Sequence, residues 1–429
     1  MKVMENYGHL IGFSYIIEEM MAGDGKVKSI LCSLMFVIMV VCSLAGAVQA
    51  EEGEELPATD VSGKELVSEK YPFPDKIQRF MRESELSFTY PDAVRGIYVT
   101  ANSAAGKKMP ELTELVKSTD LNAMVIDVKE DHGEIMLEPH NEKYKKIFEG
   151  KYDSVMDDPE AILKDLEKKG IYPIARVVVF KDNVLAEERP ELSFTKENGE
   201  IWTNGKGEAF VNPFKKEVWE YNVEVAKMAA DLGFQEVQFD YVRFPEGFAS
   251  RDDVLQYGRG DYDSEGVSDV QQRVNAVTDF VEYARESLRN YNTDVSVDIF
   301  GYSAVVPEEP NIGQNFSKIA SNVDVISSMI YPSHWGSFFG IENTDTEPYK
   351  LVEEYAKVEN DRLKTLEEPP VSRPWIQDFE APWLYSGPTK QYGVAEVEAQ
   401  IEALNNNGIE EYLIWNAGNN YTEGVDYTP

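Results

Sequence analysis

The run Gln235-Glu236-Val237-Gln238-Phe239-Asp240-Tyr241 reads as a strand and continues into Val242-Arg243-Phe244-Pro245. It sets an acid and a base where a buried strand is otherwise hydrophobic. One element later, Val295-Ser296-Val297-Asp298-Ile299-Phe300-Gly301 repeats the pattern. A buried carboxylate is costly unless it is paired or used. Two of them at corresponding positions of successive strands point to a site built for acid/base or nucleophilic work.

Outward from this pair, the chain alternates between strand-like and helix-like stretches. The strands are expected at 95–100, 123–129, 172–179, 235–241, 294–300, 323–331, 374–379 and 411–416, and the helices at 110–118, 159–169, 214–232, 268–290, 346–364 and 394–406. Eight strands with intervening helices predict an α/β fold, a (β/α)8 TIM barrel. A doubly wound open sheet is the alternative, but no G-x-G-x-x-G or P-loop supports one. Only 13 residues follow Asn416, too few for a last helix, so the amphipathic segment 74–86 is expected to close the outer ring. Insertions at 181–212 and 244–267 follow the third and fourth strands, on the face where barrel enzymes build their sites. Asp261 to Gly266 faintly resembles a calcium loop, but Glu265 and Gln272 break the pattern and a solvated acidic loop is the plainer reading.

Strand side chains alternate between faces. With Val237, Phe239 and Tyr241 packed outward, Gln238 and Asp240 point into the barrel. The same argument turns Ser296 and Asp298 inward, as well as Asp127 and Lys129, and Arg176 with Ile174 and Val178. The expected site therefore gathers Asp127, Lys129, Arg176, Asp240, Arg243 and Asp298 at one mouth, where opposed charges keep carboxylates ionised. Tyr331 ends the sixth strand and His334 and Trp335 follow it, Gln377 and Asp378 end the seventh, and Trp415 and Asn416 the eighth. Aromatic rings, Tyr241 and Trp383 among them, offer stacking faces for sugars. Paired acids, charge partners and aromatics suit glycosidic-bond cleavage. Structural roles compete: an Asp240–Arg243 ion pair, Asp298 capping a loop, an Asp127–Lys129 lumen pair, His334 as an ordinary loop residue. Lys129 also leaves room for Schiff-base lyase or aldolase chemistry, and the aromatics alone would serve a non-catalytic carbohydrate-binding barrel.

Of the 429 residues, 41 are basic and 77 acidic, for a net charge of −36. That field disfavours nucleic acid and anionic membranes as partners. Four histidines without H-x-H or H-E-x-x-H spacing disfavour a zinc hydrolase. No metal or cofactor is expected, and nothing suggests an obligate partner, so a monomer is the default. Lys26 and Lys28 precede an apolar stretch from Ile30 to Ala45, and Ala47-Val48-Gln49-Ala50 offers a cleavage site. Residues 1–50 thus read as a signal peptide with an upstream extension, cleaved after Ala50, or as an uncleaved membrane anchor. Residues 51–90 read as an acidic linker and short helix, and 91–429 as the barrel domain. Cys32 and Cys42 both lie in the leader, so the mature chain would lack cysteine. A secreted or cell-surface protein, acting on carbohydrate at or near a cell wall, is the expectation.

From about Arg95 to Ala417 the chain resembles a bacterial family of exported TIM-barrel glycoside hydrolases of uncharacterised specificity. The likeness rests on Arg95 to Thr100, Val125 to Lys129 with Gly133, Ile174-Ala175-Arg176, Phe239 to Pro245, Asp298 to Gly301, Met329 to Trp335 and Trp375 to Phe379. The family is more distantly similar to α-amylase-like barrels. That resemblance implies Asp240 as nucleophile, Asp298 as acid where those enzymes carry glutamate, and Asp378 as a third, transition-state-stabilising aspartate. Asp127, Lys129, Arg176, Arg243, Tyr331, His334, Trp335, Gln377, Trp415 and Asn416 would bind substrate.

Overall fold

A computed structural model describes residues 84–384 and 389–428. Eight parallel strands close on themselves. They are β1 (Arg95–Val99), β2 (Ala123–Lys129), β5 (Tyr172–Val178), β6 (Glu236–Asp240), β7 (Asp294–Phe300), β8 (Val325–Met329), β10 (Trp375–Gln377) and β11 (Tyr412–Trp415). Pairing runs in that order, and β11 returns to β1 with Gly96 opposite Leu413. The (β/α)8 expectation is met, each strand lying where its hydrophobic run predicts. Among the described residues the long helices are α1 (Met109–Ser118), α2 (Pro159–Lys169), α3 (Lys216–Leu232), α4 (Asp269–Leu288), α5 (Pro348–Leu363) and α6 (Val394–Asn405). Asp158 caps α2 through its side chain and left-handed Gly170 ends it, the acid-in, glycine-out signature of a helix.

Two buried layers follow from strand alternation. Ile126, Val237, Phe239, Val297 and Ile299 pack outward against the helices, while Tyr98, Val125, Ile174, Trp375 and Leu413 fill the lumen. Near the N-terminal ends of the strands, Arg373 gives Nη1 to both oxygens of Glu236 and Nε to Glu411, at 2.7–2.8 Å.

Three departures from the sequence pattern matter. After β2 the chain forms β3 (Ile135–Leu137) and β4 (Tyr152–Met156), too short to show a period, which extend the sheet beyond the barrel, and the short β9 (Val371–Ser372) pairs with β8 ahead of β10. The insertions after β5 and β6 pair with each other through Thr195 and Gln256 and share a cluster of Phe194, Phe244, Phe248 and Tyr257. The expected helix at 74–86 lies outside the described residues except for 84–86, which are not helical. The leader and most of the linker, 1–83, also lie outside them.

Candidate active site

A cavity of about 500 Å3 opens at the C-terminal ends of the strands. Asp240, Asp298, Tyr331, Trp375 and Trp415 line it, with Asp131, Arg176, Tyr241, Arg243 and Glu246 on one side and Tyr302, His334, Trp335 and Phe338 on the other. The register between β6 and β7 pairs Gln238 with Ser296 and Phe239 with Val297. Asp240 and Asp298 are the next residues along, so the two carboxyl groups rise from neighbouring strands.

Their surroundings differ. Asp240 Oδ2 accepts from Arg176 Nε at 2.9 Å and Nη2 at 2.6 Å, and Oδ1 accepts from the Tyr241 backbone N–H at 2.6 Å. Tyr241 has φ of +51°, a left-handed conformation uncommon for a bulky residue, and it turns the chain at the mouth. Among the described residues Asp298 forms no ion pair. Trp375 Nε1 donates to its Oδ1 at 2.8 Å. Burial first, and the nearby charge of Asp240 second, push the Asp298 carboxyl well above the usual range. One carboxylate is thus ion-paired, while burial disfavours the charged form of its neighbour.

Arg176 also reaches Asp127 at 2.7 Å and Asp131 at 2.8 Å. Burial opposes its charge, but Asp240, Asp127 and Asp131 outweigh that and raise its pKa further. Asp127 sits beneath the cavity and also accepts from the Tyr98 hydroxyl. Asp131 was not legible in the sequence: it lies past the end of β2 and is brought in by a turn at Gly133, where φ is +103°. Burial works to raise Asp131, but Arg176 and Lys181 prevail and hold it below the usual carboxylate range.

Arg243 does not pair with Asp240, as one reading of the sequence had it. It is buried, lies 4.6 Å from the Phe300 ring centroid and 4.8 Å from that of Tyr241, and meets Glu246 at 3.2 Å. Tyr331, His334, Trp335 and Trp415 line the cavity as expected. Burial lowers the His334 pKa, favouring the neutral imidazole. Trp415 stacks on Tyr98 at 4.1 Å. Gly301 lets Trp335 approach the backbone, since a Cβ there would lie 2.8 Å from the indole. Tyr302, Phe338 and Trp375 were missed as site residues, Phe338 because it sits on a loop and Tyr302 because the four-residue helix it opens, Tyr302–Val305, is too short to show a period.

Five expected residues fall elsewhere. Lys129 is the clearest correction. A bulge between Asp127 and Lys129 shifts the register and sends the side chain out toward α3. There it meets Val178 O, Asn222 and Asp182, the last at 2.7 Å. Asp378 is engaged by the backbone N–H and hydroxyl of Thr422, at 2.8 and 2.7 Å, and does not line the cavity. Gln377 is bonded to Ser333 and Gln400, and Asn416 to the backbone of Asp378 and Asn420. Trp383 is 71% exposed and also lies off the cavity. Among the described residues, no group of three or more His, Cys, Asp or Glu side chains is placed to hold a metal ion.

Comparison with known proteins agrees with the barrel fold. The glycoside hydrolase domain of PgaB (BpsB) from Bordetella bronchiseptica is 13% identical, covers 76% of this chain and 94% of its own, and superposes with a TM-score of 0.54, a likeness of fold. A hypothetical protein from Ruminiclostridium thermocellum is 29% identical over 47% of this chain and 96% of its own, with a TM-score of 0.40. A search of curated proteins finds no match. Residues 96–421 match the domain family DUF4015, described as "Putative glycosyl hydrolase domain". That match spans the barrel from β1 to beyond β11, and the chain belongs to this family of glycosyl-hydrolase-type domains.

Proposed function

We propose that the protein is an exported glycoside hydrolase that cleaves an extracellular or cell-wall polysaccharide with two carboxyl groups. The observation that carries this reading is the contrast between Asp240, ion-paired with Arg176, and Asp298, which is buried, bonded to the Trp375 indole and in no ion pair among the described residues, with its pKa raised. Environments that drive neighbouring carboxyls apart divide the roles of base and acid. Asp240 is the nucleophile. Asp298 protonates the leaving oxygen and then takes a proton from the attacking water. Neighbouring strands lie about 4.8 Å apart, which suits the ~5–5.5 Å carboxyl separation of a retaining enzyme. Tyr331, Trp335 and Trp415 supply ring faces for sugars. No step in this reading calls for a cofactor.

The test is hydrolysis of a panel of polysaccharides and aryl glycosides by the chain lacking residues 1–50, beside Asp240→Asn. Release of reducing sugar that disappears in a folded Asp240→Asn variant is the expected result. Activity surviving in that variant would move the nucleophile elsewhere. Glycan binding without hydrolysis would favour a carbohydrate-binding barrel. The N-terminus of the exported chain should begin at Glu51.

A further inference from the structure

Trp375 stands on β10, separated from β7 by β8, and its indole crosses the lumen to Asp298. The ring is buried and is held edge-on by Trp415, with centroids 5.5 Å apart at 84°. Asp298 lines the cavity, and among the described residues its Oδ2 makes no hydrogen bond. An indole N–H donates and cannot accept. In a protonated carboxyl group the better acceptor is the carbonyl oxygen, so a donor fixed on Oδ1 places the hydroxyl on Oδ2.

We infer that Trp375 is a positioning residue whose N–H holds Asp298 Oδ1, so that Oδ2 carries the proton and presents it to the cavity. The use of that proton rests on the hydrolase reading; the bond itself does not. When Asp298 ionises, the same N–H bonds a charged oxygen and the interaction strengthens. The groups that set when this happens are Asp240 and Glu236 on β6, which hold the proton on, and Arg176 on β5, which favours its loss; the buried Tyr331 phenol also faces the acid.

This arrangement can be read without substrate. The chain has six tryptophans, hence six indole resonances in a 15N-labelled protein. Titrated from about pH 4 to 9, one of them should move with a midpoint above the ordinary carboxyl value. The movement should vanish in Asp298→Asn and persist in Asp378→Asn, and its midpoint should fall in Asp240→Asn. Trp375→Phe should delete that resonance; if this variant does not fold, loss of the titration in Asp298→Asn still identifies it. Six static indole resonances, or a titration unchanged in Asp298→Asn, would overturn the inference. On any glycan the panel identifies, Trp375→Phe should raise the alkaline limb of the rate profile by about one to two units, because a hydrogen bond to the charged form is lost. It should lower kcat roughly tenfold with KM nearly unchanged. A merely structural role would leave that limb in place. An indole that titrates in a protein that cleaves no glycan would sink the hydrolase reading and leave the Trp375–Asp298 bond standing.

Discussion

Arg176 sets two of its nitrogens, Nε and Nη2, on one oxygen of Asp240, at 2.9 and 2.6 Å. Its Nη1 binds Asp127, and Nη2 also reaches Asp131. A single buried guanidinium therefore organises three carboxylates, and its planar fork fixes the orientation of the one at the cavity floor.

Removing that cation should unsettle fold and site together. Arg176→Met leaves buried carboxylates without their counter-charge, which typically costs about 3–5 kcal/mol. Arg176→Lys keeps a charge but not the fork, so it should retain most of the stability while still losing activity. Denaturant midpoints and glycan hydrolysis, measured on both variants, separate these effects. Equal activity in Arg176→Lys and the parent would show that the fork is dispensable.

Asp298 should make the protein less stable as pH rises. Its folded-state pKa lies above the unfolded value, because burial and the charge of Asp240 disfavour ionisation. Between the two values the unfolded chain has released its proton and the folded chain has not, so stability falls through that window. Asp298→Asn keeps an acceptor for Trp375 and removes the titration. It should therefore raise Tm by roughly 2 °C or more at pH 8, with little change near pH 4, while abolishing catalysis. A Tm difference independent of pH would contradict the assignment.

Lys129 should be structural. It is buried against Asp182 and Asn222 on the helix side of the barrel wall. Lys129→Met strands the Asp182 carboxylate and should cost about 3–5 kcal/mol, part of which Lys129→Met/Asp182→Asn should restore. Borohydride should trap no carbonyl compound on Lys129. A trapped adduct there would revive Schiff-base chemistry.

The contrast between Lys129 and Asp127 shows what sequence could reveal. Period-two alternation correctly turned Asp127, Arg176, Asp240 and Asp298 inward, because regular strands enforce it. Lys129 went the other way because a bulge adds one residue and flips the face. The eight strands were legible as apolar runs. Asp131 and Phe338 were not, since loops carry no period and their positions depend on contacts far along the chain, and neither was Tyr302, whose four-residue helix is too short to show one.

Asp378 marks the limit of the family resemblance. Thr422 binds both of its oxygens, tying the end of β10 to the C-terminal segment. Asp378→Ala should cost about 1–3 kcal/mol in stability and lower activity only several-fold, rather than by the orders of magnitude expected at Asp240. Loss of activity to the level of Asp240→Asn, with stability unchanged, would return Asp378 to the chemistry.

Arg243 should act on substrate affinity rather than on the acid pair. Its guanidinium lies against Phe300 and Tyr241 and faces the cavity, and its carboxylate partner Glu246 is 71% exposed at the side chain. A planar cation held against rings is not replaced by an ammonium. Arg243→Lys and Arg243→Gln should both raise KM, by roughly tenfold for the loss of about 1.4 kcal/mol of binding. They should change kcat little, because that pattern follows when an interaction is made equally in the bound substrate and the transition state. A fall in kcat at constant KM would instead place Arg243 beside the reacting bond and make it a second cation on the Asp240 side of the site.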